Sequence, residues 1–302
     1  MDAARGDLGP PGPDTAVRPV EGDWLDALAT LATIDVKIGQ ENFPVASRLV
    51  PARWRRHLQA LYGFARLVDD AGDEAPGDRD ALLDAIDDDI DRLVGDTPPR
   101  LAVLQRLAAT VAERQLPLEP FHRLVEANRR DQVVRRYDTY DQLVDYCTLS
   151  ANPVGHLVLS LFDKATPERL VLSDEVCTAL QLIEHWQDIA EDFGNDRVYL
   201  PAEDMQRYGV TDADLSADHV SPALRRLLAF EVSRTQALLS HGARLVGTLS
   251  GSARLAVAGY VGGGQAALDA LGAADLEVLA GHPRPGRLRI VRSITARLVG
   301  GR

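Results

Sequence analysis

Two stretches of this sequence place carboxylates where helical cores normally exclude them. In residues 180–201, LQLIEHWQDIAEDFGNDRVYLP, Asp188 and Asp192 stand four apart among Leu182, Ile183, Trp186, Ile189 and Phe193, so on a helix they point the same way. Residues 61–74, LYGFARLVDDAGDE, repeat the spacing with Asp69 and Asp73, flanked by Asp70 and Glu74, with Arg66 one turn earlier. Like charges at this spacing destabilise a helix by ~0.2–0.5 kcal/mol per pair, and a local cost incurred twice points to a function. The donors are all oxygens, with no His or Cys at ligand spacing, which suits a hard cation, Mg²⁺ or alternatively Mn²⁺, rather than zinc. Magnesium typically takes one or two carboxylates together with waters and substrate phosphate, so two facing acidic helices would form a clamp for a metal-bound diphosphate.

Other acid pairs serve as controls. Asp87 and Asp91 lie in DDDID beside an ordinary amphipathic stripe of Leu82, Leu83, Ile86, Ile90 and Leu93, which reads as a solvated face. Asp141 and Asp145 sit among polar residues and read as exposed or capping acids. A di-iron carboxylate bundle would need two Glu-x-x-His units. The chain offers that spacing at Glu119 and His122, with Pro120 between them.

The elements that must position these acids are helical. Periodicity predicts helices over roughly 22–37, 52–72, 79–94, 99–113, 118–132, 139–162, 167–193, 220–248, 252–271 and 286–298. Strand signals are nearly absent. Breaks fall at Asn42-Phe43-Pro44, Ala75-Pro76-Gly77, Thr97-Pro98-Pro99, Gly194-Asn195-Asp196 and His282-Pro283-Arg284-Pro285. None has the composition of a domain linker. The expected fold class is all-α, a single helical bundle around a central cavity over 22–302, preceded by a Pro/Gly-rich disordered tail at 1–21.

With 302 residues, 45% of them hydrophobic, the chain is long enough to bury a large core. A net charge of −12 argues against nucleic acid as a main partner. Cys147 and Cys177 both fall in apolar helical patterns and read as buried thiols of a reducing compartment. The N-terminus lacks signal-peptide character, and no apolar run approaches the ~20 residues of a membrane helix. A cytoplasmic location is expected. The last segment, PRPGRLRIVRSITARLVGGR, holds Arg284, Arg287, Arg289, Arg292, Arg297 and Arg302 with no acid after Glu277. Leu288, Val291, Ile294 and Leu298 share a helical face, so this helix either docks on the bundle, the simpler reading, or rests transiently and peripherally on an anionic membrane.

Together with ENFPVASRLVP at 41–51 and YDTYDQLVDYCTLSANPVG at 137–155, the two acidic stretches resemble the head-to-head isoprenyl diphosphate synthases of the squalene and phytoene synthase family. The resemblance runs from about Trp24 to the last helix. ENFPVAS and the WQD-plus-RVYLP signature are most similar to the hopanoid-pathway squalene synthase branch, whose members are understood to convert presqualene diphosphate to hydroxysqualene beside a separate presqualene-forming synthase and a reductase. It implies a magnesium site of Asp69, Asp70, Asp73, Glu184, Asp188 and Asp192 and a prenyl diphosphate substrate. Arg66, Arg197 and Tyr199 fall where the family holds diphosphate and builds its RVYLP corner, while Tyr62, Tyr146, Ala151, Gly155 and Gln181 fall where it lines the prenyl channel. Ordinary helix packing would also want the Ala and the Gly. Salt bridging on a helix is the plain alternative for Arg66. Tyr62, Tyr146 or Trp186 could stabilise a carbocation through their ring faces.

The chain departs from the family pattern at Glu184, where Asn is common, and at His185, which replaces an apolar residue. Gly72 inside a helix costs ~1 kcal/mol relative to Ala and marks either a close approach or a helix end. No strand precedes Gly262-Gly263-Gly264, so there is no dinucleotide-binding signature, and NADPH use is not expected. Phytoene or squalene synthase activity is the enzymatic alternative. A non-catalytic binding or assembly factor is the other, although a scaffold has no need for clustered acids. Glu184→Asn removes one charge and keeps an oxygen ligand, so the variant is expected to stay active with a shifted magnesium optimum. Inactivity at every magnesium concentration would give Glu184 a role outside that pattern.

Overall fold

The computed structural model describes residues 50–300. The expected helix at 22–37, the ENFPVAS segment, the tail at 1–21 and Arg302 lie outside the described residues.

The first helices follow the sequence closely. α1 spans Ala52–Asp73, α2 Arg79–Asp91, α3 Ala102–Arg114 and α4 Glu119–Val133. Capping sets several of the helix starts in the chain. Asp78 accepts from the Ala81 N–H at 3.0 Å at the head of α2. Thr139 caps α5, Tyr140–Ser150, by accepting from Gln142 N–H at 3.2 Å.

The single helix expected over 139–162 is two. α5 ends at Ser150 with Ala151 as its cap, and α6, Asn152–Leu161, starts with Pro153 in its first turn, where a missing N–H is tolerated but could not continue the preceding helix. The expected helix at 167–193 also divides, into α7, Pro167–Gln187, and α8, Ile189–Gly194. The break falls on Asp188. Two short helices, α9, Ala202–Tyr208, and α10, Asp212–Leu215, occupy a stretch too polar and too short to show helical periodicity. α11, Pro222–Gly242, and α12, Leu245–Thr248, divide the expected helix at 220–248, and α13, Gly251–Ala273, and α14, Arg287–Gly300, complete the order.

The described residues pack as an all-α bundle around one contiguous hydrophobic cluster. Trp186, Phe64 and Phe121 are fully enclosed in it, the last two meeting edge to face at 4.9 Å between ring centroids. α7 lies at the centre, packed along α11 and also against α5, α6 and α13. Trp186 Nε1 donates to Thr235 Oγ1 of α11 at 3.0 Å, which corrects its reading as a ring facing a carbocation: it is a core anchor with its polar atom satisfied. Both cysteines are free thiols, Cys147 buried and Cys177 partly so. Asp87 of the control pair meets His122 at 2.6 Å and Arg129 at 3.1 Å, a charged face rather than a solitary acid pair.

α14 docks along α13 through part of the face expected. Ile294 is buried and Leu298 partly so, whereas Leu288 and Val291 are exposed. The docking depends on Gly262: a Cβ there would stand 2.6 Å from Ile294 Cγ1 and 2.8 Å from the Ile294 backbone N and Cα. No helix of the described residues is long and apolar enough to cross a membrane. Gly262→Ala forces two backbones apart and is expected to cost about 1–3 kcal/mol, read as a lower thermal midpoint with faster tryptic cleavage in 284–297. An unchanged midpoint and digestion rate would show that the contact is slack.

Candidate active site

The first acidic motif occupies the last turns of α1. Gly72 stands where α1 meets α4: an added Cβ would fall on the Asn128 side chain, 3.0 Å from its Cγ. Both readings of this glycine hold, because α1 also ends at Asp73, directly after it. Gln132 Nε2 donates to the Gly72 carbonyl at 3.0 Å, and Asn128 Nδ2 reaches Asp69 Oδ1 at 3.4 Å. Arg66 pairs locally, with Asp70 of its own helix at 2.5 Å and with Glu74 just past the helix end at 2.9 Å. Asp70 is buried, whereas Asp69 and Asp73 are exposed.

The second motif is a kink. The Asp188 N–H still donates to the Glu184 carbonyl at 2.9 Å and the Asp192 N–H to the Asp188 carbonyl at 2.8 Å, but Asp188 itself leaves helical geometry with φ −105° and ψ 14°. His282 Nδ1 lies 2.8 Å from Asp188 Oδ1. Past α8 the chain reverses through Asp196, at φ 59°, a left-handed conformation that aspartate tolerates. The RVYLP corner is then stitched to the α4–α5 connection: Val198 N–H donates to the Arg135 carbonyl at 2.8 Å and Ala202 N–H to that of Tyr137 at 2.9 Å.

Arg197 is thereby delivered between the motifs. Its Nη2 meets Asp73 Oδ1 at 2.7 Å. Burial works to lower its pKa, yet the Asp73 hydrogen bond and charge hold it above the usual arginine value. The acids around it are under electrostatic pressure. Burial, then the charge of Asp188, pushes Asp192 up to about 8, with Arg197 offsetting part of the shift. Asp188 is raised by burial, which its hydrogen bond to His282 counters.

Sequence reasoning missed Asp131. It sits on α4 one turn beyond Asn128, continuing the buried stripe of Phe121, Leu124 and Val125, and a carboxylate at a core position of that period was the available signal. Tyr146 donates to Asp131 Oδ2 at 2.5 Å, and burial raises this acid to about 6. The stack continues outward. Tyr146 is 5.5 Å from Tyr137 and 6.0 Å from Tyr199 between centroids, and the His185 ring lies 3.7 Å from Tyr199 at 15°. Burial, with Arg197 nearby, lowers His185 to about 3, so its ring is neutral. Together His185, Asp192, Arg197 and Tyr199 line a small cleft.

The remaining expected residues are dispersed around this centre. Gln181 Nε2 meets the His185 ring at 3.4 Å, Glu184 is half-buried one turn before the kink, and Tyr62 is half-buried on α1. Ala151 is buried at the end of α5. Gly155 is a correction: a Cβ there would run into Ser173 and stand 2.6 Å from Cys177 Sγ, so the glycine serves close packing of α6 on α7 rather than a channel.

Among the described residues, no three His, Cys, Asp or Glu side chains stand close enough to hold a metal ion by themselves. The donor set nonetheless fits a magnesium ion bound chiefly through water and phosphate oxygens, which asks for one or two carboxylates. Asp131 Oδ1 and Arg197 Nε are buried without a hydrogen-bond partner in the structure, an acceptor and a donor still to be matched.

An all-α bundle that sets two carboxylate motifs and an arginine between them beside a cleft lined by Tyr199, His185 and aliphatic side chains is the architecture of an isoprenoid synthase. It superimposes with a TM-score of 0.80 on a dehydrosqualene synthase, 21% identical over 92% of this chain and 97% of that one. Residues 36–292 match the squalene/phytoene synthase family model, and the chain belongs to that family. The squalene synthase HpnC from Alicyclobacillus acidocaldarius is 41% identical with a TM-score of 0.72, covering 83% of this chain and 94% of that one. A hydroxysqualene synthase from Zymomonas mobilis is 36% identical over 66% of this chain and 67% of its own, and a phytoene synthase from Mycobacterium tuberculosis 31% identical over 68% of each.

Tyr146→Phe removes the donor from buried Asp131 and is expected to cost about 1–3 kcal/mol. The lost bond favours the ionised carboxylate, so the penalty is larger at pH 7.5 than at pH 5, on either side of the Asp131 value of about 6. Unfolding midpoints of both proteins across that range check the sign, and a pH-independent difference contradicts it.

Proposed function

We propose that this protein ionises presqualene diphosphate and captures the resulting cation with water, releasing hydroxysqualene and diphosphate. The observation that carries the reading is Arg197, ion-paired to Asp73 and in the field of Asp192 and Asp131, in the wall of the cleft beside Tyr199 and His185. Similarity to hydroxysqualene synthases over two thirds of the chain supports the particular product.

Asp69, Asp73, Asp188 and Asp192 would hold magnesium, with Glu184 beside them and Asp70 kept as the partner of Arg66. When bound, the ion supplies positive charge to the departing diphosphate. Arg197 is placed to meet the same charge as it develops, because its Nε is unmatched and its guanidinium is held ready by Asp73. Burial keeps the phenols of Tyr146 and Tyr199 protonated, so Tyr199, which lines the cleft, offers a carbocation a neutral π face rather than a phenolate nucleophile, with buried Tyr146 packed behind it. The neutral ring of His185 extends that surface without adding a repelling charge. The C–O bond to diphosphate breaks, the cyclopropylcarbinyl cation rearranges, and a water oxygen bonds to carbon and loses a proton. No hydride donor enters this balance. The reaction places the protein between a synthase that makes presqualene diphosphate and a reductase that removes the hydroxyl.

The second reading is head-to-head condensation of prenyl diphosphates, favoured by the phytoene synthases among the relatives. Purified protein with Mg²⁺ and presqualene diphosphate in ¹⁸O-water is expected to yield hydroxysqualene carrying the label, with no NADPH consumed. Squalene formed solely with NADPH, or phytoene from geranylgeranyl diphosphate, sinks the reading. Asp69→Ala and Asp188→Ala should each lower kcat by ~10²-fold or more with the fold intact, and wild-type turnover in either variant or in excess chelator contradicts the metal clamp.

A further inference from the structure

The final helix carries more positive charge than its docking uses. Arg289 Nη1 donates to the Asp269 carbonyl at 2.8 Å and Arg297 Nη2 to Gln265 Oε1 at 2.7 Å, and both bonds tie α14 to α13. Arg287 and Arg292, with Arg284 just before the helix, are exposed and have no carboxylate at salt-bridge distance among the described residues. Nothing after Glu277 is acidic, in a chain whose net charge is −12. This is a local reversal of the protein's field.

The apolar residues on the same helix divide between two faces. At about 100° per residue, Ile290, Ile294 and Leu298 turn toward one side, where Ile294 is seated against Gly262. Leu288, Val291 and Val299 fall with Arg292 on the arc adjoining that side, turned into solvent, and are 87%, 59% and 70% exposed. Arg287 and Arg289 flank that stripe. An aliphatic strip edged by arginines is the pattern of a helix lying in a lipid interface. A purely phosphate polymer would leave the aliphatic side chains without a role. An anionic bilayer uses both, taking the apolar side chains into the headgroup–acyl boundary and the guanidiniums at its phosphates.

We infer that α14 is an interfacial helix that seats the protein on an anionic lipid surface through Leu288, Val291 and Val299, with Arg284, Arg287 and Arg292 meeting lipid phosphates. The adjoining face stays docked on α13, so the whole bundle is held at the surface without unfolding or inserting. This inference stands on α14 and is independent of the catalytic reading.

The test is co-sedimentation of the full chain with phosphatidylglycerol–phosphatidylcholine vesicles and with phosphatidylcholine alone. Binding is expected to the anionic vesicles, to fall as salt rises, and to drop by on the order of tenfold or more in the Arg287→Gln/Arg292→Gln double variant. Leu288→Glu/Val291→Glu is expected to abolish it while leaving the circular dichroism and thermal midpoint unchanged, because both side chains are already in solvent. Absence of binding to anionic vesicles at low salt overturns the proposal, as does binding indifferent to both variants. Concentration-dependent dimerisation in light scattering, lost in the Glu variant and without vesicle binding, assigns the face to a second copy of the chain instead.

Discussion

The candidate site depends on one guanidinium among acids. The charge of Asp73 adds to the cost of ionising both Asp131 and Asp192, and Arg197 is the cation set among them that offsets part of it. Its pair with Asp73 is not a large source of stability, because the Asp73 side chain is 46% exposed and a screened pair contributes ~0–1 kcal/mol. What the pair fixes is position. It joins the end of α1 to the corner after α8, the two places where the acidic motifs stop being helix.

That corner is over-determined by backbone bonds. Asp192 C=O accepts from Arg197 N–H at 2.9 Å, and Val198 and Ala202 are bonded to the α4–α5 connection. The same connection follows Asp131 and contains Tyr137, so the elements that aim Arg197 also place the buried acid and the first ring of the aromatic stack. Tyr137 stacks on Tyr199 at 5.9 Å and 20°. A wall of neutral rings beside charged groups would suit the proposed cation chemistry, in which water admitted early would quench an intermediate.

Much of this was legible in the sequence, for definite reasons. The α1 motif and the turn at Gly194-Asn195-Asp196 were readable because acid spacing against an apolar background and turn chemistry are local signals. The kink at Asp188 was not. Periodicity runs straight through it, and the carbonyl and amide bonds on either side survive, so nothing in residue order reports the change in direction. Asp131 was hidden differently: it lacks an i,i+4 acidic partner, and its significance appears when Tyr146 arrives from another helix. Gly155 and Trp186 misled because a small residue and an indole are equally at home in a channel wall and in a tight helix contact, which tertiary packing alone decides.

The kink also connects the acidic centre to the basic end of the chain. Gln187, the last residue of α7, donates to the Pro283 carbonyl at 2.5 Å, and His282 beside it holds Asp188. The segment leading into α14 is therefore anchored on the residues where the second motif leaves its helix, while α14 itself is fixed to α13 by the contact at Gly262. Between those two anchors the connection is short. The arrangement puts the charge reversal of the molecule next to its crowded acids, where Arg284 lies near enough for its charge to favour the ionised form of Asp188 against burial.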